Sequence, residues 1–142
     1  MKKKLLVFAL FCSFSLIGFA QSNSWVTYFN NSDLTINTTY SDCHFPEKGV
    51  HNQYILIKLE NHSNQDLKVS YGIDTWYNDK KANPDLKEYN FTIPANSSLS
   101  PSCNDLQNGL FVFSKMLEPK AKSVLSKFRI TNLRINGKKA SK

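Results

Sequence analysis

From Gln21 onward apolar and polar residues alternate over short runs, a period of two that belongs to strands with one buried face, and no long stretch carries the 3.6-residue period of a helix. Leu34, Ile36, Thr38 and Tyr40 fall on one face of a first such run. In "QYILIKLEN" the residues Ile55, Ile57 and Leu59 share a face, and Tyr54 and Leu56 make the other face apolar too, which predicts a central strand. Leu67, Val69, Tyr71 and Ile73 alternate next, then Tyr89, Phe91 and Ile93, then the β-prone run Leu110 to Phe113. Phe128, Ile130, Leu133 and Ile135 fit two alternations out of phase, which predicts a bulge near Asn132. The core is expected to gather Ile55, Ile57, Leu59, Val69, Phe91, Val112 and Ile130.

The runs end where turn chemistry ends them. "ENHSNQD" supplies Asn, Ser and Asp, whose side chains satisfy local backbone groups, and Pro84 and Pro94 have no amide hydrogen to give to a sheet. The turn "NDKK" follows the Trp76 strand, and only "EPKAKSVLSK" has room for a helical turn. Six to eight short strands with turns every eight to twelve residues describe an all-β sandwich or small barrel. The expectation is an antiparallel β-sandwich of about seven strands in a single domain, residues 21–142.

The first twenty residues change the picture of charge and compartment. Three lysines, an apolar run from Leu5 to Phe19 and small residues at Gly18 and Ala20 spell an export signal over residues 1–20. The run is shorter than the roughly 20 residues that span a bilayer, so no integral span is expected after cleavage. Cleavage takes three lysines, and the formal net charge of +7 falls to +4. The remaining lysines look scattered, with a dense run only in "NGKKASK", and arginine is limited to Arg129 and Arg134. A nucleic-acid binder wants a basic stripe with arginine in it, so none is expected as a partner. Cys43 and Cys103 remain, and an exported chain with one pair of cysteines is expected to close them into a disulfide, worth about 4 kcal/mol in the chain-entropy account of so long a loop. The expected location is periplasmic or secreted.

The order "YILIKLENHSNQDLKVSYGIDTWYN" followed by "FTIPANSSLS" resembles the broad class of immunoglobulin-like exported modules. A strand runs into an Asn-Ser turn, a second strand ends at a Trp, and a third closes on Ile-Pro-Ala with small polar residues. The resemblance implies an immunoglobulin-like sandwich and no particular activity. Its cysteines depart from the antibody pattern, since Cys43 precedes the strand at 54–60 and Cys103 lies in a loop before the strand at 110–113.

Two places hold candidate chemistry. In "YSDCHFPEKGVHNQ" the disulfide takes Cys43 and leaves His44, Glu47 and His51, a possible metal set across a Pro-Glu-Lys-Gly turn and otherwise an exposed polar loop. The other is aromatic. Strict alternation from Leu67 sends Asp74 and Trp76 away from the core, where with Tyr77 and Asn78 they could bind a sugar or anchor a protein. A bulge near Thr75 would return Trp76 to the core, where sandwich tryptophans usually sit, and the core is the position expected here. Trp25 and Phe29 raise the same question. No nucleophile elbow, phosphate loop or paired-carboxylate motif occurs, and neither enzymatic activity nor a cofactor is expected. The triplets at Asn30, Asn37, Asn61, Asn90 and Asn96 fit glycosylation signals, in a chain so rich in Asn that such triplets arise by chance. The expected role is a binding or structural module of the cell envelope or extracellular space, with a protein or glycan partner.

Overall fold

The computed structural model describes residues 24–82 and 87–141, so the expected export signal at 1–20 lies outside the described residues. Leu34, Ile36, Ile57 and Leu59 from one sheet, and Leu67, Val69, Tyr71 and Ile93 from the other, are all at most 2 % exposed and form a single core. Each such side chain contributes about 1.5–3 kcal/mol on leaving water. Ile55, Val112 and Ile130 are buried with them, as their alternation predicts, and Phe91 packs against the cluster half-buried.

The chain is all-β, with two antiparallel sheets that curl as half-barrels. In the first sheet β1 (Val26–Asn30), β2 (Leu34–Phe45) and β3 (Val50–Asn61) form a meander. The free edge of β3 pairs at one end with β7 (Ser98–Leu99) and along the rest with β8 (Phe111–Glu118). In the second sheet β4 (Leu67–Tyr77) is central. On one side it pairs with β9 (Leu125–Ile135), which carries β10 (Lys138–Lys139). On the other it pairs with β6 (Tyr89–Ile93) at its start and β5 (Lys80–Lys81) at its end.

Three local features depart from the sequence reading. The stretch around His44 to His51 is no open loop: β2 and β3 run on unbroken to Phe45 and Val50, joined by a 3-10 turn at Pro46–Lys48 and left-handed Gly49. "EPKAKSVLSK" makes the β8–β9 connection without a helical turn. The many asparagines have structural uses, because Asn78, Asn96, Asn132 and Asn136 all take positive φ, where Asn is tolerated better than other side chains. Asn78 and Asp79 form the tight β4–β5 hairpin, with φ of 48° and 64°. Asn132, with φ of 51°, sits where the β4–β9 register slips between Ser70 and Gly72, so the expected bulge is present there.

Cys43 and Cys103 are bonded, with Cα atoms 5.4 Å apart and a separation of 60 positions in sequence. The β2–β3 register is unbroken, so Cys43 shares a face with Ser41, Thr39 and Asn37 and lies on the side of the sheet opposite Leu34 and Ile36. The chain leaves β3 opposite Leu59 and returns at Leu110, whose carbonyl accepts from the Ile57 amide. The disulfide therefore pins the intervening loop against the outer side of the first sheet.

Candidate functional site

The outer face of the second sheet carries the densest chemistry. Leu67, Val69 and Tyr71 point into the core, so Lys68, Ser70 and Gly72 point out. The β4–β9 register then runs without a break from Gly72 to Trp76, placing Asp74 opposite Arg129 and Trp76 opposite Lys127. On the other flank Trp76 faces Lys81. The break comes one residue later, between Trp76 and Tyr77. No bulge at Thr75 turns Trp76 inward. The expectation of a core tryptophan is thus corrected: Trp76 is half-buried and lies outside the core cluster.

Its ring is surrounded by cations. Lys127 Nζ stands 4.9 Å from the ring centroid, Lys81 Nζ 5.5 Å and Arg129 Cζ 5.6 Å. Asp74 joins two of them, with one carboxylate oxygen 3.0 Å from Lys81 Nζ and 3.1 Å from the Arg129 guanidinium. The hydrogen bonds from Lys81 and then from Arg129 hold the Asp74 carboxyl below its usual range. One aromatic ring and one carboxylate thus hold three exposed cations in fixed positions, at a smaller loss of side-chain freedom when something binds them.

Beside this cluster runs a groove of about 840 Å3, lined by Ser70, Gly72, Asp74, Lys81, Lys87 and Arg134 among others. Its floor depends on Gly72, where a Cβ would stand 2.8 Å from Thr131 Oγ1. A smaller depression of about 280 Å3 continues it toward Lys68, Asn90 and Thr92, and the two share Ser70 and Gly137.

Of the four residues picked out around Trp76, the structure brings two together. Asp74 and Trp76 share the outer face, while the Tyr77 hydroxyl donates to the Phe113 carbonyl at 2.8 Å, toward the first sheet. Asn78 is engaged in the backbone, its side chain bonding Lys122 O and the Val124 amide at 3.1 Å each. Lys81, Lys127 and Arg129 were not singled out by sequence, because only the strand register brings them to Trp76. Five of the lysines that look scattered along the chain, Lys68, Lys81, Lys87, Lys127 and Lys139, are gathered on this face by the fold.

The other candidate cluster is partly assembled. His44 and His51 stand directly opposite each other on β2 and β3, ring centroids 5.2 Å apart. Glu47 sits exposed in the turn beyond them, and among the described residues no three His, Cys, Asp or Glu side chains gather as a metal-holding group. Trp25 is half-buried under Lys58, and Phe29 belongs to the core. Among the glycosylation triplets, Asn37 and Asn61 are buried, and the Asn61 amide donates to the Gln65, Ile93 and Pro94 carbonyls.

Comparison with protein families, with curated proteins and with solved structures returns no match.

Proposed function

We propose that this chain is an exported, non-enzymatic binding module of the cell envelope or extracellular space, built as an immunoglobulin-like sandwich, which takes its ligand on the outer face of the second sheet. The observation that carries the reading is the half-buried Trp76 held among Lys81, Lys127 and Arg129 at the end of an open groove. An indole kept out of the core and beside a polar groove is a frequent recognition anchor. The Cys43–Cys103 disulfide is compatible with export to an oxidising compartment. Two antiparallel sheets facing across one core support the sandwich reading, although the β1-β2-β3 meander is its own variation on that architecture.

The test is a pull-down and glycan screen with the chain from Gln21 onward, run in parallel with Trp76→Ala. The reading expects a ligand that the wild type retains and the variant loses while its circular dichroism and unfolding midpoint stay close to wild type. A ligand bound equally by both proteins would move the site elsewhere on the molecule.

A further inference from the structure

The charge on the outer face of the second sheet is strongly one-sided. At outward strand positions stand Lys68, Lys81, Lys127, Arg129, Arg134 and Lys139, and Lys87 lines the groove beside them. Against them this face sets Asp74, already bonded to two of the cations, and Glu88. Both arginines of the chain are here. Elsewhere among the described residues acidic side chains slightly outnumber basic ones, so the positive balance of the domain rests on this one face. We propose that the groove binds an acidic polysaccharide, a chain of sugars bearing carboxylate or sulfate groups; the proposal rests on the binding-module reading above.

Three observations favour that ligand. First, the trough made by the two joined depressions follows β4 from Lys68 to Asp74, about 20 Å at the rise of a strand, so it suits an extended polymer better than a compact solute. Successive outward cations on β9, Lys127 and Arg129, stand about 7 Å apart, a ladder for a ligand with repeating charge. Secondly, the trough is lined with hydroxyl and amide groups from Ser70, Thr131, Asn132 and Asn90, which can bond sugar hydroxyls between the charges. Thirdly, the cations are positioned in advance by Trp76 and Asp74, and an arginine so held offers a paired fork to a carboxylate or sulfate.

The same face argues against the two other polyanions. A membrane surface is gripped by apolar side chains that protrude among the cations. The large exposed apolar residues among those described are Val26, Tyr40 and Val124, none of them on the strands of this face. Single-stranded nucleic acid stacks its bases on open aromatic faces. Among the described residues Trp76 is the one aromatic at an outward position of this sheet, and a single ring gives successive bases no stacking platform.

The experiment measures binding of the chain from Gln21 onward by calorimetry to polygalacturonate and to dextran sulfate. Neutral dextran, a single-stranded oligonucleotide and vesicles one third anionic lipid serve as comparisons. The expected result is binding to at least one acidic polysaccharide that weakens as salt rises, and no binding to neutral dextran. Arg129→Gln with Arg134→Gln should weaken it by about tenfold or more, since two charge-assisted contacts are lost. Lys48→Gln with Lys58→Gln, which removes the same charge from the β2–β3 hairpin on the other side of the molecule, should leave it within about twofold, as for residues away from the site in a screening solution. Asp74→Asn should tighten it, because a like charge is removed from the path of the ligand; a neutral sugar bonded by that carboxylate would be bound more weakly instead.

Tighter binding to the oligonucleotide or the vesicles than to either polysaccharide overturns the choice of ligand. Binding to neutral dextran that is lost in Trp76→Ala but indifferent to the arginine pair overturns the acidic ligand and leaves the binding site standing. Equal loss in the Lys48/Lys58 pair shows charge without a site and overturns both. No binding to either polysaccharide overturns the inference.

Discussion

The Tyr71 hydroxyl donates to the Gly109 carbonyl oxygen at 2.7 Å, a bond from the central strand of one sheet to the residue that leads toward β8 of the other. It is a buried polar link across an apolar interior, as is the bond from the Asn61 amide to the Ile93 carbonyl, and Tyr71 itself is wholly shielded from solvent. Burial, and then the Tyr89 phenol nearby, pushes the Tyr71 hydroxyl above its ordinary range. Tyr71→Phe keeps the ring and leaves the carbonyl without its donor, so it should cost about 1–3 kcal/mol in urea unfolding.

The same group sets an alkaline limit. In the folded chain Tyr71 keeps its proton, whereas in the unfolded chain it ionises near pH 10, so above that pH the unfolded state binds fewer protons and stability falls. The half-buried Tyr77, raised by its own burial, acts in the same direction. Unfolding midpoints measured from pH 8 to 11 should therefore drop for the wild type, and drop less steeply for Tyr71→Phe. An unchanged slope in the variant would assign the alkaline loss to other groups.

The disulfide should be worth about 2–4 kcal/mol, with little effect on the outer face of the second sheet, because Cys43 and Cys103 are anchored to the first. Intact mass before and after reduction checks the bond. Double replacement by Ser should lower the unfolding midpoint while preserving whatever binds around Trp76. Two free thiols in protein taken from its native compartment would contradict the bonded pair.

How much of this was legible in the sequence follows from what alternation can encode. A period of two marks which residues share a face, and so it singles out Ile55, Ile57, Leu59, Val69, Val112 and Ile130, all of them buried. The clash of phase between Ile130 and Leu133 likewise announced the bulge at Asn132. Alternation says nothing about which strand lies beside which. Lys127 and Arg129 are far from Trp76 in sequence and reach it only because β4 takes β9 on one edge, while Lys81, five residues on, is returned to it by the β4–β5 hairpin on the other. The turn at Pro46–Lys48 was readable as a turn, yet its flanks were read as loop because polar cross-strand pairs such as Asp42 with Gln53 hide a strand from a hydrophobic pattern.

Core truncation should separate the two kinds of residue. Ile57→Ala removes a fully buried side chain between the sheets and should cost about 2–5 kcal/mol. A change too small to measure would mean that β3 presents its other face to the core.

Asp74 gives an acid-side test with the opposite sign from Tyr71. Its carboxyl is held low by Lys81 and Arg129, so its contribution is present above about pH 4, the ordinary value of a free Asp, and is lost as pH falls through the lower folded value. The pair is solvent-facing, so the effect is modest and weakens with salt. Thermal scans from pH 6 down to pH 2 should show a shallower acid limb for Asp74→Asn than for the wild type at low ionic strength. Superimposable limbs would mean that the bridging geometry contributes nothing to the folded state.

Trp76 yields the last and most discriminating measurement. Because its ring is outside the core and shares its surroundings with Lys81, Lys127 and Arg129, Trp76→Ala should cost well under the about 3–5 kcal/mol of a buried aromatic truncation, and clearly less than Ile57→Ala. Its fluorescence supplies an independent readout if Trp25 is first replaced by Phe, leaving Trp76 as the single indole from Gln21 onward. The three cations draw anions toward the ring, so iodide should quench it more efficiently than a neutral quencher of similar reach, and added salt should erase the difference. An acidic polysaccharide seated on the same cations should shield the indole from iodide in proportion to its occupancy. Weak quenching by iodide together with a large loss of stability in Trp76→Ala would put the ring in the interior and remove the basis for a site on this face.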